Sequence, residues 1–535
     1  MSCHDRPLKI CLYAMSVALV ICGSTLIPSA NAQQVRVVPS VSVREMYDTN
    51  VFFAPSDQLP PGLNRDDFIT TIVPQINLGQ TNSLMSTNLS VGAIIQKFAR
   101  NSDLDNVGFN AAAGIDLSRL ANRYLPRMKA LRVYGTYMFS PSTPAFGAGG
   151  LGTIGGGAGS FGGGGIGLTG PLDSGQVAQR IRTSIYNIGV SNSYALSPSA
   201  DFQTSLMYSS LSFGSSYTPT TTTSGQALVF DTTNYTVTAG PTARISAYDS
   251  LGFNYIFSQF SQANFGSFTT HSGQGTWGRS WSREIFSSVR GGMTLVEPIP
   301  ATQSNDPNAQ VSNQSRVPAT IFPTGGFTLT YASASSLLRS LGSDIQSGSS
   351  PGGVGVVGGS FLPMLAGGIM PGGNAQAGAY SASFTYNLSI YPSFVSSAGP
   401  IYTHLIGING SAGISNRLTA MGGFNFAHSS FTSQLNNSTF DTYGTILMLN
   451  YLVVPSLQAS LSHQWMEFAG SSGGVATASD FSFSKQMIIL GLSYAYAPRG
   501  DFFRSGAFWD TSPGASTTGT GASQPGPGGG VEIKK

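Results

Sequence analysis

The chain has 535 residues, 26 Lys and Arg against 23 Asp and Glu, and a formal net charge of +3. Only 9% of its residues are charged, yet aromatics reach 11% and glycine 67 residues; soluble proteins carry about 25% charge. This excludes a chain disordered throughout, which would be charged and poor in aromatics, a large soluble enzyme with a charged surface, and a nucleic-acid binder with a clustered basic face.

The N-terminus carries Arg6 and Lys9, then an apolar run from Ile10 to Cys22, then the small-residue site Ala30-Asn31-Ala32. This order predicts a signal peptide over 1–32, cleaved before Gln33, and hence an exported protein. The run is too short to cross a bilayer, and no stretch of about 20 apolar residues follows it, which excludes a helical membrane protein. Leu19-Val20-Ile21-Cys22 resembles a lipoprotein cleavage box, but Ile21 is too large for the position before the cysteine. Cys3, Cys11 and Cys22 all lie in this segment, so residues 33–535 hold neither a disulfide nor a thiolate metal site.

From residue 35 the pattern becomes period-two alternation, the mark of strands with two unlike faces. In chain order it predicts strands at 35–46, 67–80, 84–99, 107–119, 129–140, 183–196, 201–214, 232–246 and 250–261. It continues at 267–282, 284–297, 317–332, 376–390, 400–414, 418–431, 440–453, 456–468 and 481–497. The clearest run places Tyr380, Ala382, Phe384, Tyr386, Leu388 and Ile390 on one face and Ser381, Ser383, Thr385, Asn387 and Ser389 on the other. A soluble sandwich would carry Lys, Glu and Asp on its polar face. Here that face is Ser, Thr, Asn, Gln and Gly, which suits lipid outside and water inside.

The connectors alternate between short turns, such as Thr81-Asn82 and Pro455-Ser456, and long polar segments, such as 47–66, 142–182, 217–230 and 297–316. Short turns at one end and long loops at the other describe an outer-membrane barrel. The fold class is therefore all-β: a transmembrane antiparallel β-barrel of about 18 strands (16–18) over 33–500, with long external loops and short periplasmic turns. Tyr134, Tyr137, Phe139, Tyr186, Tyr194, Tyr208, Tyr380, Tyr391, Tyr402, Tyr494 and Tyr496 are expected to form girdles at the two headgroup levels.

Three segments carry no strand signal. Residues 146–170, within the loop 142–182, contain 14 glycines in 25 positions and cannot bury a core. The Gly/Pro-rich segment 333–374 is long where parity demands a periplasmic turn. Either the strand count is off there, or the segment enters the lumen through Phe361-Leu362-Pro363-Met364-Leu365, or it is a surface loop. The tail 501–535 is expected to be disordered.

Tyr47-Asp48-Thr49-Asn50-Val51-Phe52 and Asp67-Phe68-Ile69-Thr70-Thr71-Ile72-Val73-Pro74 together resemble the β-barrel porin family found with exosortase and exopolysaccharide loci in Gram-negative bacteria. The resemblance implies an outer-membrane barrel with porin-like passage or export and no catalytic residues. Gly491-Leu492-Ser493-Tyr494-Ala495-Tyr496 looks like the signal by which barrel-assembly machinery reads a final strand, with Gly491, Tyr494 and Tyr496 its candidate residues. Ile489 stands where such signals carry a polar residue, and the chain runs on beyond Tyr496. Asp501–Trp509 is the competing last strand, though Arg504 would interrupt it.

No motif for chemistry stands out. Gly147–Gly152 matches a dinucleotide-binding pattern by chance in a glycine tract with no βαβ unit around it. Asp103–Gly108 lacks a calcium loop's ligand at Val107 and its closing Glu. The histidines His271, His404, His428 and His463 show no metal-ligand spacing and no evident carboxylate partner. No enzyme and no cofactor is expected.

Parity places Arg132, Arg244, Arg290 and Lys485 on the lumen face, where charge tunes selectivity. They either make the lumen mildly cationic or pair with loop carboxylates folded inward. The expected function is a porin-like aqueous channel for small polar solutes or exported polysaccharide; the alternative is a non-conducting barrel serving as a surface-interaction or assembly scaffold. Expected partners are outer-membrane lipid and lipopolysaccharide, the barrel-assembly machinery and, for an export route, a polysaccharide, with no nucleic acid.

Overall fold

The computed structural model describes residues 34–52, 59, 62–144, 180–217, 231–262, 266–299, 319–333, 378–391, 401–431, 439–471 and 481–496. The proposed signal peptide, most of the Gly-rich loop, Phe361–Leu365 and the tail, including Asp501–Trp509, lie outside them.

Eighteen strands follow one another: β1 Gln34–Asp48, β2 Asp67–Thr81, β3 Ser86–Phe98, β4 Asn106–Asp116, β5 Met128–Pro144, β6 Arg180–Ser197, β7 Ala200–Tyr217, β8 Thr232–Arg244 and β9 Asp249–Gln262. Then come β10 Gly266–Ser280, β11 Ile285–Ile299, β12 Thr320–Ala332, β13 Tyr380–Tyr391, β14 Ile401–Gly413, β15 Leu418–Phe431, β16 Thr439–Val454, β17 Leu457–Ser471 and β18 Phe481–Ala495. Each pairs antiparallel with its sequence neighbours, and β1 pairs with β18, so the sheet closes. Closure satisfies every strand edge internally, which hydrocarbon requires. Each expected strand is present, with ends shifted by a few residues.

The alternation is realised as two faces. On β18, Ile488, Leu490 and Leu492 are about half exposed on the convex side, while Met487, Ile489 and Ser493 between them are buried. Convex side chains splay apart toward lipid; concave ones converge and shield one another. Aromatics mark both ends of the convex face. Tyr248, Trp281, Tyr331, Tyr380, Tyr451, Tyr494 and Tyr496 ring the turn end. Tyr47 packs on Phe68 (4.8 Å), Tyr208 on Tyr235 (4.7 Å) and Phe426 on Tyr443 (5.0 Å) in the loop-end half. Tyr134 corrects the girdle assignment: it pairs with Gly189 on the concave face, where a Cβ at 189 would collide with its ring.

A 15-residue strand such as β11 is about 50 Å long at the usual rise. At the usual tilt it spans about 38 Å of height against an apolar band of about 25 Å. Strand therefore projects beyond the hydrocarbon, and outward side chains near strand ends sit at headgroup level.

The short turns fall at one end. Asn82 Oδ1 accepts the N–H groups of Leu84 and Met85, and Ser415 Oγ accepts that of Leu418. The one unexpected element there is α1, Ser118–Tyr124, between β4 and β5. It takes residues that the alternation assigned to the end of a strand. Asp116 Oδ1 accepts the Ser118 N–H, and Leu120 N–H bonds Leu84 O on the neighbouring turn.

Parity at 333–374 is resolved by the pairing of β12 with β13. Among the described residues no strand is missing or extra. The long connection does leave the turn end, and its neck is closed by the Ser333 N–H on Tyr380 O (2.8 Å) and by the Tyr380 N–H on Ser333 Oγ (3.2 Å).

Candidate channel lumen

The concave wall is a layer of small neutral side chains bonded to one another. Thr403 meets Ser429 (2.9 Å), Ser205 meets Thr238 (2.6 Å), Thr294 donates to Ser272 (2.9 Å), and Asn187 donates to Thr136 (3.1 Å). Hydroxyl and amide groups can each donate and accept, so the wall offers both roles without charge.

Cations lie flat on this wall, across glycines. Arg290 reaches over Gly326 on the next strand to donate to Asn387 Oδ1 at 2.7 Å. A Cβ at Gly326 would stand 2.9 Å from Arg290 Nε and 2.7 Å from Tyr386 O. Arg44 lies opposite Gly491 across the closing seam, its Cγ 3.4 Å from where a Cβ would be. The candidate assembly glycine thus has a local role: it gives an arginine stem room. Tyr494 and Tyr496 face outward at the turn end.

The other expected lumen charges have different fates. Arg132 pairs with Asp116 at 3.3 Å, a carboxylate at the end of β4. Arg244 bonds the carbonyls of Ser246 and Ala247 and closes its own turn. Lys485 is 2% exposed and donates to Asp48 Oδ2 (2.5 Å) and Asn50 O (3.0 Å). Arg36 and Arg44 share the concave side of β1 with Ser40 and Ser42; parity could have found both, since they alternate with Val37 and Val43.

The first loop folds inward at the loop end. Val51 and Phe52 are buried against Met46, Ile69, Phe98, Leu104, Met487 and Ile489. Two carboxylates hold it there, Asp48 directly and Asp67 through Asn101, whose amide bonds the Asn64 N–H (3.0 Å) and carbonyl (2.9 Å). Asp48 accepts the Asn50 N–H (2.9 Å) besides Lys485, and Asn50 Nδ2 donates to Ser484 O (3.3 Å). Asp67 accepts the N–H groups of Phe68, Arg100 and Asn101 and the Asn101 amide, all within 2.8–2.9 Å. Both segments that carried the family resemblance therefore build one clasp, which ties β1 and β2 to β18 and covers that side of the lumen. Ile489 is apolar because it supports this clasp. Outside the strands, Asp105 is held below the ordinary carboxylate range, chiefly by the hydrogen bond from Lys97.

One convex-face cluster overturns a reading of the sequence. His428 Nδ1 stands 2.7 Å from Asp441 Oδ1, and His404 lies directly opposite His428. The carboxylate partner sits on the next strand, so no local spacing announces it.

No protein-family model and no curated protein sequence matches the chain. Among solved structures, the outer membrane protein OpdK of Pseudomonas aeruginosa is 10% identical, with TM-score 0.35, over 86% of this chain and 99% of that one. OpdK with vanillate is 11% identical (TM-score 0.37; 86% and 99% covered), and OprD of the same organism 8% (TM-score 0.34; 86% and 95% covered). At these scores the likeness does not extend to function.

Proposed function

We propose that this chain forms an aqueous channel through a Gram-negative outer membrane for small, neutral, hydroxyl-rich solutes. The observation that carries the reading is the concave wall: paired hydroxyls and amides around a closed 18-strand barrel. Barrels of this size enclose water rather than a packed core. Such a wall exchanges hydrogen bonds with a polyol or a sugar at little cost, and a solute that binds weakly at many places can leave as easily as it enters. Arg44 and Arg290 add a mild preference for anions. Export of a polysaccharide is the finer reading, supported by the resemblance of 47–52 and 67–74 to barrels found with exopolysaccharide loci.

The clasp favours a second reading, a barrel whose lumen is covered and which serves as a scaffold. Single-channel recording in planar bilayers separates the two, with the full mature chain beside a deletion of 342–374. Steady conductance that scales with salt is expected. Silence in the full chain with conductance after the deletion would mean a plugged route. Silence in both, with the strand signal intact by circular dichroism, would overturn the channel.

A further inference from the structure

The convex face of β13–β16 is apolar toward the turn end and changes character near the loops. Tyr386, Ile406, Phe426 and Tyr443 are consecutive register partners across the four strands. Two residues nearer the loops the partners are Leu388, His404, His428 and Asp441. On β16 the aromatics Tyr443 and Tyr451 stand eight positions apart, about 20 Å of height at the usual rise and tilt. Asp441 lies two positions beyond Tyr443, about 25 Å from the level of Tyr451, so this row stands at the edge of the apolar band, where the headgroups begin.

We propose that His404 and His428 form a binding site for one divalent transition-metal ion of the zinc, copper or nickel class. They are directly opposed on antiparallel strands, where Cβ atoms approach to about 5 Å, and their ring centroids are 6.3 Å apart. Tetrahedral binding through both Nε2 atoms, at about 2.0–2.1 Å each, brings the centroids to about 5 Å. The rings would need to close by about 1 Å, a small side-chain rotation.

The outer partners both engage Nδ1, which turns Nε2 of each ring toward the other strand. Asp441 accepts from His428 Nδ1 at 2.7 Å; a carboxylate only accepts, so Nδ1 carries the proton and, in the neutral ring, Nε2 keeps its lone pair. His404 Nδ1 is 3.0 Å from the Tyr386 hydroxyl, and Tyr402 meets the same ring edge-on at 5.3 Å. A carboxylate or hydroxyl behind each imidazole is the arrangement that orients metal-binding histidines and raises their basicity. Among the described residues no three His, Cys, Asp or Glu side chains are placed to hold one ion. The site therefore has two protein ligands, and water or headgroup phosphate oxygens complete it. Imidazole donors with two open positions suit copper, nickel and zinc over calcium or magnesium.

The test uses the full mature chain in detergent, without a histidine tag. Titration calorimetry with zinc, and electron paramagnetic resonance with copper, should show one saturable ion with two nitrogen ligands. His404→Ala and His428→Ala should each abolish the two-nitrogen signature, and Asp441→Asn should weaken binding by about tenfold. His271→Ala and His463→Ala should bind as the native chain does. Heat-shifted gel mobility identifies any variant that fails to fold; for such a variant, His→Gln at the same position replaces it. Absence of saturable binding in the native chain, or binding that survives loss of both histidines, would overturn the site. Unchanged affinity in Asp441→Asn would overturn the role given to the carboxylate.

Discussion

Lys485 is a charge inside a barrel wall, and its surroundings explain how it is tolerated. A buried ammonium costs several kcal/mol unless it is paired and hydrogen-bonded; Lys485 has both the Asp48 carboxylate and the Asn50 carbonyl. Removing one partner leaves the other charge stranded. Lys485→Met should therefore destabilise the barrel by about 3–5 kcal/mol, read as a lower temperature for the gel-mobility shift. Adding Asp48→Leu should recover part of that loss. Arg290 lies open to a different test, because it reaches its partner only across Gly326. In bilayers, Arg290→Ser should lower the anion-to-cation permeability ratio. Gly326→Ala should act in the same direction, since its methyl would displace the guanidinium stem and crowd Tyr386 O; an unchanged reversal potential in both would show that Arg290 does not set selectivity.

At the scale of elements, the alternation was enough to locate all eighteen strands. Each turns an apolar face outward and a mostly polar face inward, so period two is enforced residue by residue. Pairing across strands leaves no such trace. Asp441 stands 13 residues from His428, and Lys485 is 437 from Asp48; neither separation has a local pattern. The helix α1 was missed because its seven residues are too few to establish a period. The clasp was visible as a motif but not as a structure, since its meaning depends on β18 and on the 99–105 turn. Asp67 is its hub, and Asp67→Ala would leave the Arg100 and Asn101 N–H groups without an acceptor, at about 1–3 kcal/mol each. The expected result is faster proteolysis within 99–105 and 49–66, with the strand signal retained. Equal cleavage rates would mean that the clasp is held by its apolar residues alone.

For the molecule as a whole, the seam between first and last strands is what closes the sheet, and it is one of its shorter ladders. Along β1, fifteen residues pair with β2, but only Ser40 to Asp48, nine residues, pair with β18. Nothing bonds the barrel shut until β18 arrives, and the clasp then draws on Lys485, Met487 and Ile489 from that strand. Closure and clasp formation are therefore one event. The register makes this testable, because residues 33–535 contain no cysteine. Ser42 faces Ser493 on the concave side of the seam, so Ser42→Cys with Ser493→Cys should cross-link under mild oxidation. Ser42→Cys with Gly491→Cys, one step out of register on the same face, should cross-link far less. In the Lys485→Met background the Ser42–Ser493 yield should fall, because the seam opens more often when its only buried ion pair among the described residues is gone. A yield that does not respond to Lys485 would place the strength of the seam in its backbone ladder and reduce the ion pair to a local feature of the clasp.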